Sequence, residues 1–461
     1  MVQILDVMGK ALEGTPMSET DYQLRRFAPK VQELVKEYKI KFDPKTPIPN
    51  DGSLADDLFE AAVDLLADVG AYCTSTARVI SYSENEIRRG IVEAPEEIAL
   101  GEGRDRKMLR GRKVGDKTPP WCLLGAGGGA CSSDKSFITL VEGYAEIPET
   151  NGITTPAITR VGGMRIRPAS PLEILGAMRN AVLARETCNR VGREGIPIMN
   201  SLSTAESDIA FAAALHPKFG MRRSDSYMVC CMDPMKVDFA RLNKVTTALS
   251  LGGPISMCEG PLLGGYAGGA EGTALSNVAH HLMGVLTYQA GWILPFPLHL
   301  RYVSSSCREL LWVISTTGQA ISRNSHIISL NLNYTSAGPC TPMCLFETTA
   351  SVLAAVTAGM SIESVGVASN RYEDLTTPVE PRISAEVGHA VAGMKLTDAN
   401  AIANKLLAKY ESKLSNAPLG KSLYECWDAD KRKPSKEYTT VIKSYKKSMS
   451  GLGVDLKDEA V

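Results

Sequence analysis

The sequence lacks the patterns that define several large classes of protein. No uncharged apolar run reaches the roughly 18 residues that a membrane span requires. The N-terminus has neither the basic-then-apolar order nor the cleavage site of a signal peptide. The net charge is −1, so no excess of positive charge indicates binding to nucleic acid or to an anionic membrane. We therefore expect neither a nucleic-acid partner nor a membrane partner.

The usual motifs for metals, phosphates and hydrolytic nucleophiles are also missing. The 6 histidines are scattered, and neither C-x-x-C nor H-E-x-x-H occurs, so we expect no metal site. Walker A and G-x-S-x-G sequences are absent. The glycine run at 125–129 contains G-x-G without the full dinucleotide pattern, which favours a sharp turn over a phosphate site.

The cysteines do not form a recognisable framework. There are 11 in a chain of 461 residues, and an odd count without regular spacing indicates reduced thiols and a cytoplasmic location. Cys344 lies near the start of a predicted helix, where a thiol is either reactive, with a lowered pKa, or a small buried residue. The second interpretation is favoured.

From Trp121 onward, short apolar runs alternate with longer helical stretches, which predicts a parallel α/β sheet. Eight such units predict a closed (β/α)₈ barrel of the TIM type over residues 121–400. An open doubly wound sheet is the alternative. Residues 1–120 are expected to form a helical extension with short strands, and 401–461 to form helices that pack on the barrel. The eight predicted strands cover residues 122–124, 153–158, 196–199, 227–232, 255–258, 293–300, 327–332 and 364–368.

Polar residues follow several of these runs. Glu259 follows the fifth and precedes a glycine-rich loop, His299 and Arg301 end the sixth, and Asn333 and Tyr334 follow the seventh. In a barrel, the carboxyl ends of the strands meet at one mouth, so we expect these side chains to lie close together. Tyrosines near the same ends suit a methylated ammonium cation, through cation–π attraction, or simply pack the rim.

At these residues the sequence resembles the monomethylamine:corrinoid methyltransferases of methylotrophic methanogens. The resemblance rests on long, unusual motifs, and it covers nearly the whole chain. It implies a homo-oligomer of barrels that moves a methyl group from a small methylated amine to the cobalt of a small corrinoid protein. The corrinoid is carried by that partner and is not bound tightly by this chain. The motifs are GGYAGGAEGT at 264–273, PLHLR at 297–301, SSSCREL at 304–310 and AGPCTPMCLFE at 337–347.

The resemblance also identifies the expected site residues. The family's glutamate matches Glu259; Asn333 stands where its glutamine is expected and Thr335 where its tyrosine is expected. We therefore predict catalytic roles for Glu259 and Asn333. Substrate contacts are predicted from a second set, which combines the family positions with the strand-end residues: Met199, Leu202, Tyr334, Thr335, His299 and Arg301.

The main departure from the family concerns pyrrolysine, whose imine is thought to form an adduct with the amine. Alignment on the preceding motif places Met199 at its position, and counting back from Glu259 places Leu202 there. Neither side chain is capable of imine chemistry. A member without pyrrolysine suits a donor that already carries a good leaving group, such as a quaternary amine. The alternatives are a non-catalytic paralogue and, less favoured, a thioether or methoxy demethylase.

Overall fold

The computed structural model describes residues 3–199 and 206–456, and within them eight parallel strands form a barrel. Around the barrel the strands follow the order β3-β2-β1-β8-β7-β6-β5-β4. Their alternating side chains divide the protein into a barrel interior and an outer layer between strands and helices. The strands are β1 Cys122–Gly125, β2 Gly152–Thr154, β3 Ile198–Met199, β4 Tyr227–Cys230, β5 Ile255–Glu259, β6 Trp292–Pro295, β7 Ile328–Tyr334 and β8 Ser361–Gly366.

The barrel closes between β3 and β4. A parallel bridge joins Met199 to Ser226, and the buried carboxylate of Asp225 holds the two strands together beneath it. Asp225 accepts hydrogen bonds of 2.8 Å from Arg185 and from the backbone N–H of Ile198. This closure confirms the predicted barrel and excludes the open-sheet alternative.

A helix follows each strand, which completes the alternation that the sequence predicts. Capping side chains set where several of these helices begin: α4, for example, begins after Asp238, which accepts from the N–H of Arg241. The barrel helices are α1 Asp134–Ala145, α2 Pro171–Arg190, α3 Asp208–Ala214, α4 Phe239–Leu251, α5 Ala270–Thr287, α6 Arg308–Asn324, α7 Pro342–Thr357 and α8 Val379–Ala390.

The N-terminal region covers one side of the barrel and plugs its amino end. The helix at Gly52–Val69 packs on both α5 and α6, so α5 is buried almost all round. The hairpin of Glu97–Leu100 and Lys107–Arg110 inserts Leu100 and Leu109 into the apolar cluster of the barrel interior. The other N-terminal elements are helices Ile4–Glu13, Glu19–Asp21, Tyr22–Phe27 (a π-helical turn), Ala28–Glu37, Glu84–Glu93 and Gly103–Asp105 (3₁₀), and strands Thr15–Pro16, Ala71–Cys73 and Arg78–Ile80.

The C-terminal region is helical, as predicted, and packs against α7. Its last long helix ends at Gly451. No helix in the described parts of the chain is long and apolar enough to cross a membrane. The C-terminal elements are Leu396–Tyr410, Glu411–Asn416 (3₁₀), Leu423–Cys426 and Lys436–Ser450, with a hairpin of Trp427–Asp428 and Lys433–Pro434.

Short strand pairs extend the barrel beyond its carboxyl end. Leu262–Leu263 pairs in parallel with Leu298–His299, after β5 and β6 respectively. The predicted sixth strand is therefore two pieces, because Pro295 and Pro297 interrupt its ladder. The other elements are strands Ala130–Cys131, Ala157–Ile158, Arg160–Val161, Met164–Arg165 and Lys236–Val237, and 3₁₀ turns Pro217–Phe219 and Val367–Asn370.

Candidate active site

The barrel interior is a compact apolar core that ends in aromatic rings at the mouth. Below the mouth the inner faces of the strands carry a single buried cluster. Phe296 and Tyr334 pack against its upper side, are half-buried, and have ring centroids 5.9 Å apart. The cluster consists of Leu100, Leu109, Trp121, Leu123, Met199, Met228, Cys258, Trp292, Leu294, Ile328, Leu330 and Leu332.

Tyr334 is held firmly at this mouth. Its Oη donates to the carbonyl oxygen of Gly127 at 3.1 Å, and the amide of Asn370 donates to the same oxygen at 2.6 Å. A Cβ on Gly366 would lie 2.3 Å from the tyrosine ring, so only glycine fits beside it. Burial raises the pKa of Tyr334 well above its usual range, so the phenol stays protonated and its ring presents an uncharged face.

A buried carboxyl group lies inside the barrel. Glu363 of β8 is in register with Leu123, an inner-face residue of β1, and is fully buried. Neither carboxyl oxygen has a hydrogen-bond partner among the described residues. Burial raises the pKa of Glu363 to about 8, with the nearby Thr154 hydroxyl acting to lower it. Glu363 lies just before the predicted eighth strand, which begins at Ser364, whereas the strand in the structure begins at Ser361. For this reason it is not among the predicted site residues.

Two cysteines line the same interior. Cys230 and Cys258 are register partners on β4 and β5, with Cα atoms 4.6 Å apart, and they form a disulfide. This corrects the expectation that all the thiols are reduced. Cys344 fits the favoured interpretation, since it is buried and burial raises the pKa of its thiol well above the usual range.

One of the two positions at which the resemblance places pyrrolysine, Met199, is the last residue of β3. Met199 is fully buried in the interior cluster. Leu202 lies outside the described residues.

Glu259 lies on the opposite side of the barrel wall from the expected position. Its carboxyl faces α5, where Oε1 is 3.1 Å from Nδ1 of His281 and Oε2 is 3.8 Å from Nδ1 of His280. With its amide nitrogen towards the carboxyl, Asn277 lies 2.7 Å from Oε1 and accepts from Thr317 at 3.1 Å. Burial raises the pKa of Glu259 well above its usual range and lowers that of His281 to about 4. The group is therefore a neutral hydrogen-bonded cluster at pH 7.

Asn333 and Thr335 also turn outward. Asn333 Oδ1 accepts from the amide of Asn331 at 2.8 Å, and both side chains are fully buried. Thr335 Oγ1 donates to the carbonyl oxygen of Ala337 at 2.8 Å.

His299 and Arg301 belong to a third environment. Both line an open surface cavity of about 590 Å³ together with Phe42 and the loop before α5. His299 Nδ1 accepts from the N–H of Arg301 at 3.0 Å, and its ring stacks on Tyr302 at 4.1 Å. Burial lowers the pKa of His299, so this histidine is neutral at pH 7.

The expectation of one shared mouth is therefore wrong as a statement of geometry. Of the predicted strand-end side chains, Tyr334 faces the interior mouth, Glu259 and Asn333 face the outer layer, and His299 and Arg301 line the surface cavity. Their predicted roles in catalysis and substrate binding stay predictions. Within the described chain, no group of three or more histidine, cysteine, aspartate or glutamate residues is placed to hold a metal ion.

Comparison with known proteins identifies the family. The family model described as monomethylamine methyltransferase MtmB matches residues 2–454. The chain belongs to the monomethylamine methyltransferase family. A relative from Methanosarcina barkeri, monomethylamine methyltransferase MtmB1, is 33% identical over 97% of each chain. Monomethylamine methyltransferase MtmB1 from Methanosarcina acetivorans is 34% identical, again over 97% of each.

Solved structures of this family show the same fold. The crystal structure of the Methanosarcina barkeri monomethylamine methyltransferase superposes with a TM-score of 0.94 at 33% identity, covering 98% of both chains. The hydroxylamine complex of MtmB gives the same TM-score, identity and coverage. The family's architecture is thus retained from end to end in this chain.

Proposed function

We propose that this protein is a methyltransferase that moves a methyl group from a methylated amine to the cobalt of a corrinoid carried by a partner protein. The observation that carries the proposal is the end-to-end match to monomethylamine methyltransferases, at 33% identity and a TM-score of 0.94. The corrinoid, when bound to its partner, supplies a cobalt(I) nucleophile. This chain binds and orients the donor at the barrel mouth and excludes water around it.

The rim of the barrel mouth suits a protein partner that carries such a group. Large apolar side chains are exposed on loops that follow strands β5, β6 and β8, namely Tyr266, Leu300, Val303 and Tyr372. Arg301 and Arg371 line a cavity of about 290 Å³ at the same end of the barrel. An apolar rim with arginines is typical of an interface. It supports docking of a small corrinoid protein with acidic groups around its cofactor.

The donor that we propose is a quaternary amine. Met199 or Leu202 stands where the family resemblance places pyrrolysine, and neither side chain is capable of forming an adduct with an amine. A quaternary nitrogen needs no such activation, because it already leaves as a neutral amine. Phe296 and Tyr334 present uncharged aromatic faces at the mouth, which attract a permanent cation. The pocket then acts through orientation and desolvation.

Methyl-cobalamin formation from free cob(I)alamin tests this function. The donors are tetramethylammonium, choline, glycine betaine, trimethylamine and monomethylamine, and the reaction is followed by the absorbance of the cobalamin. We expect turnover with at least one quaternary donor and none with monomethylamine. Turnover confined to monomethylamine would refute the quaternary donor, and no turnover with any amine would refute the methyltransferase itself.

The second candidate is a non-catalytic paralogue that binds a methylated ligand or the corrinoid protein. One observation favours it: Glu259 and Asn333, the predicted catalytic pair, are buried in the outer layer and hydrogen-bonded there. Binding of a quaternary ammonium without methyl-cobalamin formation, in the presence of the corrinoid partner, would select this candidate.

A further inference from the structure

Among the fully buried glutamates in the described part of the chain, Glu363 differs in that its carboxyl has no hydrogen-bond partner. Glu259 is surrounded by α5 side chains. Glu347 accepts from the Ser306 hydroxyl and from two backbone N–H groups. Glu380 accepts from Thr377 and from the Tyr438 hydroxyl. Within the described chain, both oxygens of Glu363 are unpaired. Native proteins pair almost all their buried polar groups, so an unpaired one requires an explanation.

The surroundings of Glu363 do not give it a structural role. The inner faces of the neighbouring strands place Leu123 and Leu332 in the same interior as this carboxyl. The nearby hydroxyl of Thr154 also lacks a hydrogen-bond partner. A leucine at position 363 would pack in such surroundings without leaving a polar group unpaired. An acid there is an unfavourable choice for folding alone.

The aromatic side chains at the barrel mouth suggest a role for the Glu363 carboxyl. Tyr334 is the one titratable side chain, among described groups with a resolved shift, whose pKa the charge of Glu363 raises. That coupling means that a negative charge at Glu363 is felt at the half-buried tyrosine ring. Phe296 completes the aromatic surface at this point. Aromatic faces backed by a buried acid form an environment that stabilises an organic cation.

We propose that Glu363 is the counter-charge of the barrel mouth, ionising when an organic ammonium cation binds against Tyr334 and Phe296. One positive charge enters and one proton leaves for solvent, so the net charge of the interior is unchanged. Glu363 is thus a positioning residue, which acts on the cation through the electric field rather than by contact. The inference deepens the proposed function and rests on it in one respect, that the substrate is a methylated amine cation.

Its resting state follows from burial. Because burial raises the pKa of Glu363 to about 8, the carboxyl is protonated at pH 7. A bound cation favours the carboxylate, lowers this pKa and drives the release of the proton.

Calorimetric titration with tetramethylammonium chloride tests the inference on the full chain. Titrations in phosphate and in Tris, whose ionisation enthalpies differ, give the number of protons released per cation. We expect close to one proton at pH 7 and far fewer at about pH 9.5, where the carboxyl is already ionised. Glu363→Gln should release none and bind at least about tenfold more weakly at pH 7. Sodium chloride at matched concentration controls for ionic strength.

Glu380→Gln is the matched control, because it removes a buried carboxyl of raised pKa in the outer layer. It should release protons as the wild type does. If Glu363→Gln does not fold, Glu363→Leu replaces it with an apolar side chain. Equal proton release from Glu363→Gln and wild type, or no binding of tetramethylammonium, choline or glycine betaine by the wild type, would overturn the inference.

The two proposals fail separately. Proton-linked binding of the cation without methyl transfer would support the proposed role of Glu363 and refute the proposed methyltransferase activity. Methyl transfer from a quaternary amine that is equally fast in wild type and Glu363→Gln, with no proton release, would refute the counter-charge alone.

Discussion

Buried glutamates on the two faces of the barrel wall differ in their hydrogen-bond partners. On the outer face, Glu259 lies among His280, His281 and Asn277 of α5. On the inner face, Glu363 has no hydrogen-bond partner among the described residues. Both are fully buried, and burial raises the pKa of both. The difference between them lies in their partners and not in their depth.

This difference separates a structural acid from a functional one. The cluster around Glu259 joins β5 to α5, and it continues through His281 to Ser329 of β7 at 3.0 Å. Removing the carboxyl leaves the buried amide nitrogen of Asn277 without its acceptor, which makes the cluster important for folding. Glu363 stabilises nothing that the structure describes. The cation binding proposed above gives a reason for retaining this acid in an apolar interior.

The largest expected effect is a loss of stability on the outer face. Glu259→Ala leaves Asn277 and His281 without their carboxyl partner and opens a cavity beside α5, so we expect the free energy of unfolding to fall by about 3 kcal/mol. Glu363→Leu, which removes an unpaired group, should change it by less than about 1 kcal/mol or increase it. Urea denaturation at pH 7 measures both. Equal losses in the two variants would contradict the comparison.

The second expected effect is a dependence of the free energy of unfolding on pH that is caused by Glu363 on the inner face. The pKa of Glu363 is about 8 in the folded protein and about 4.3 in an unfolded chain. A carboxyl with a raised folded-state pKa makes its full contribution to the stability of the folded protein below its unfolded-state pKa. This contribution is lost progressively as the pH rises to the folded-state value of about 8. Between pH 6 and pH 8, the wild type should lose on the order of 2 kcal/mol more stability than Glu363→Gln.

Denaturation curves of the two proteins at each pH test this prediction. Burial also raises the pKa values of Glu347 and Glu380, to about 7. These carboxyls destabilise both proteins alike over the same range, so they cancel in the difference. Parallel stability curves for wild type and Glu363→Gln would show that Glu363 does not titrate in this range.

The barrel itself was predictable from the sequence because its strands are buried on both faces. Such strands appear as short apolar runs, and a helical pattern follows most of them. In the N-terminal region, the spacing of Ser83 and Glu86 predicts the capping box that the structure contains. The spacing of Ser53 and Asp56 also predicts a capping box, whereas the helix at Gly52–Val69 is capped by Asp51.

The assignment of side chains to faces was not predictable from the same runs. A shift of one residue in the alternation exchanges the two faces of a strand. In β5, Met257 packs with the outer core, and Glu259, two residues on, follows it outward. In β8 the alternation is interrupted by one extra residue, because Asn331 pairs with Ile362 and Asn333 pairs with Val365. When both faces of a strand are buried, its hydrophobic pattern does not show which side chains point inward. The family resemblance identifies positions in the sequence without giving the orientation of their side chains.

The smallest expected effect concerns the hydroxyl group of Tyr334 at the barrel mouth. Tyr334→Phe removes the hydrogen bond to the carbonyl of Gly127, which keeps its bond from Asn370, so the loss of stability should be only about 0.5–1 kcal/mol. The ring remains against Phe296, and a cation is attracted to the ring face and not to the hydroxyl. Affinity for tetramethylammonium, measured by calorimetry, should therefore change by less than about twofold in Tyr334→Phe and fall about threefold or more in Tyr334→Leu, which lacks the ring. A large loss in Tyr334→Phe would instead place the hydroxyl in the binding site and move the cation away from the aromatic faces.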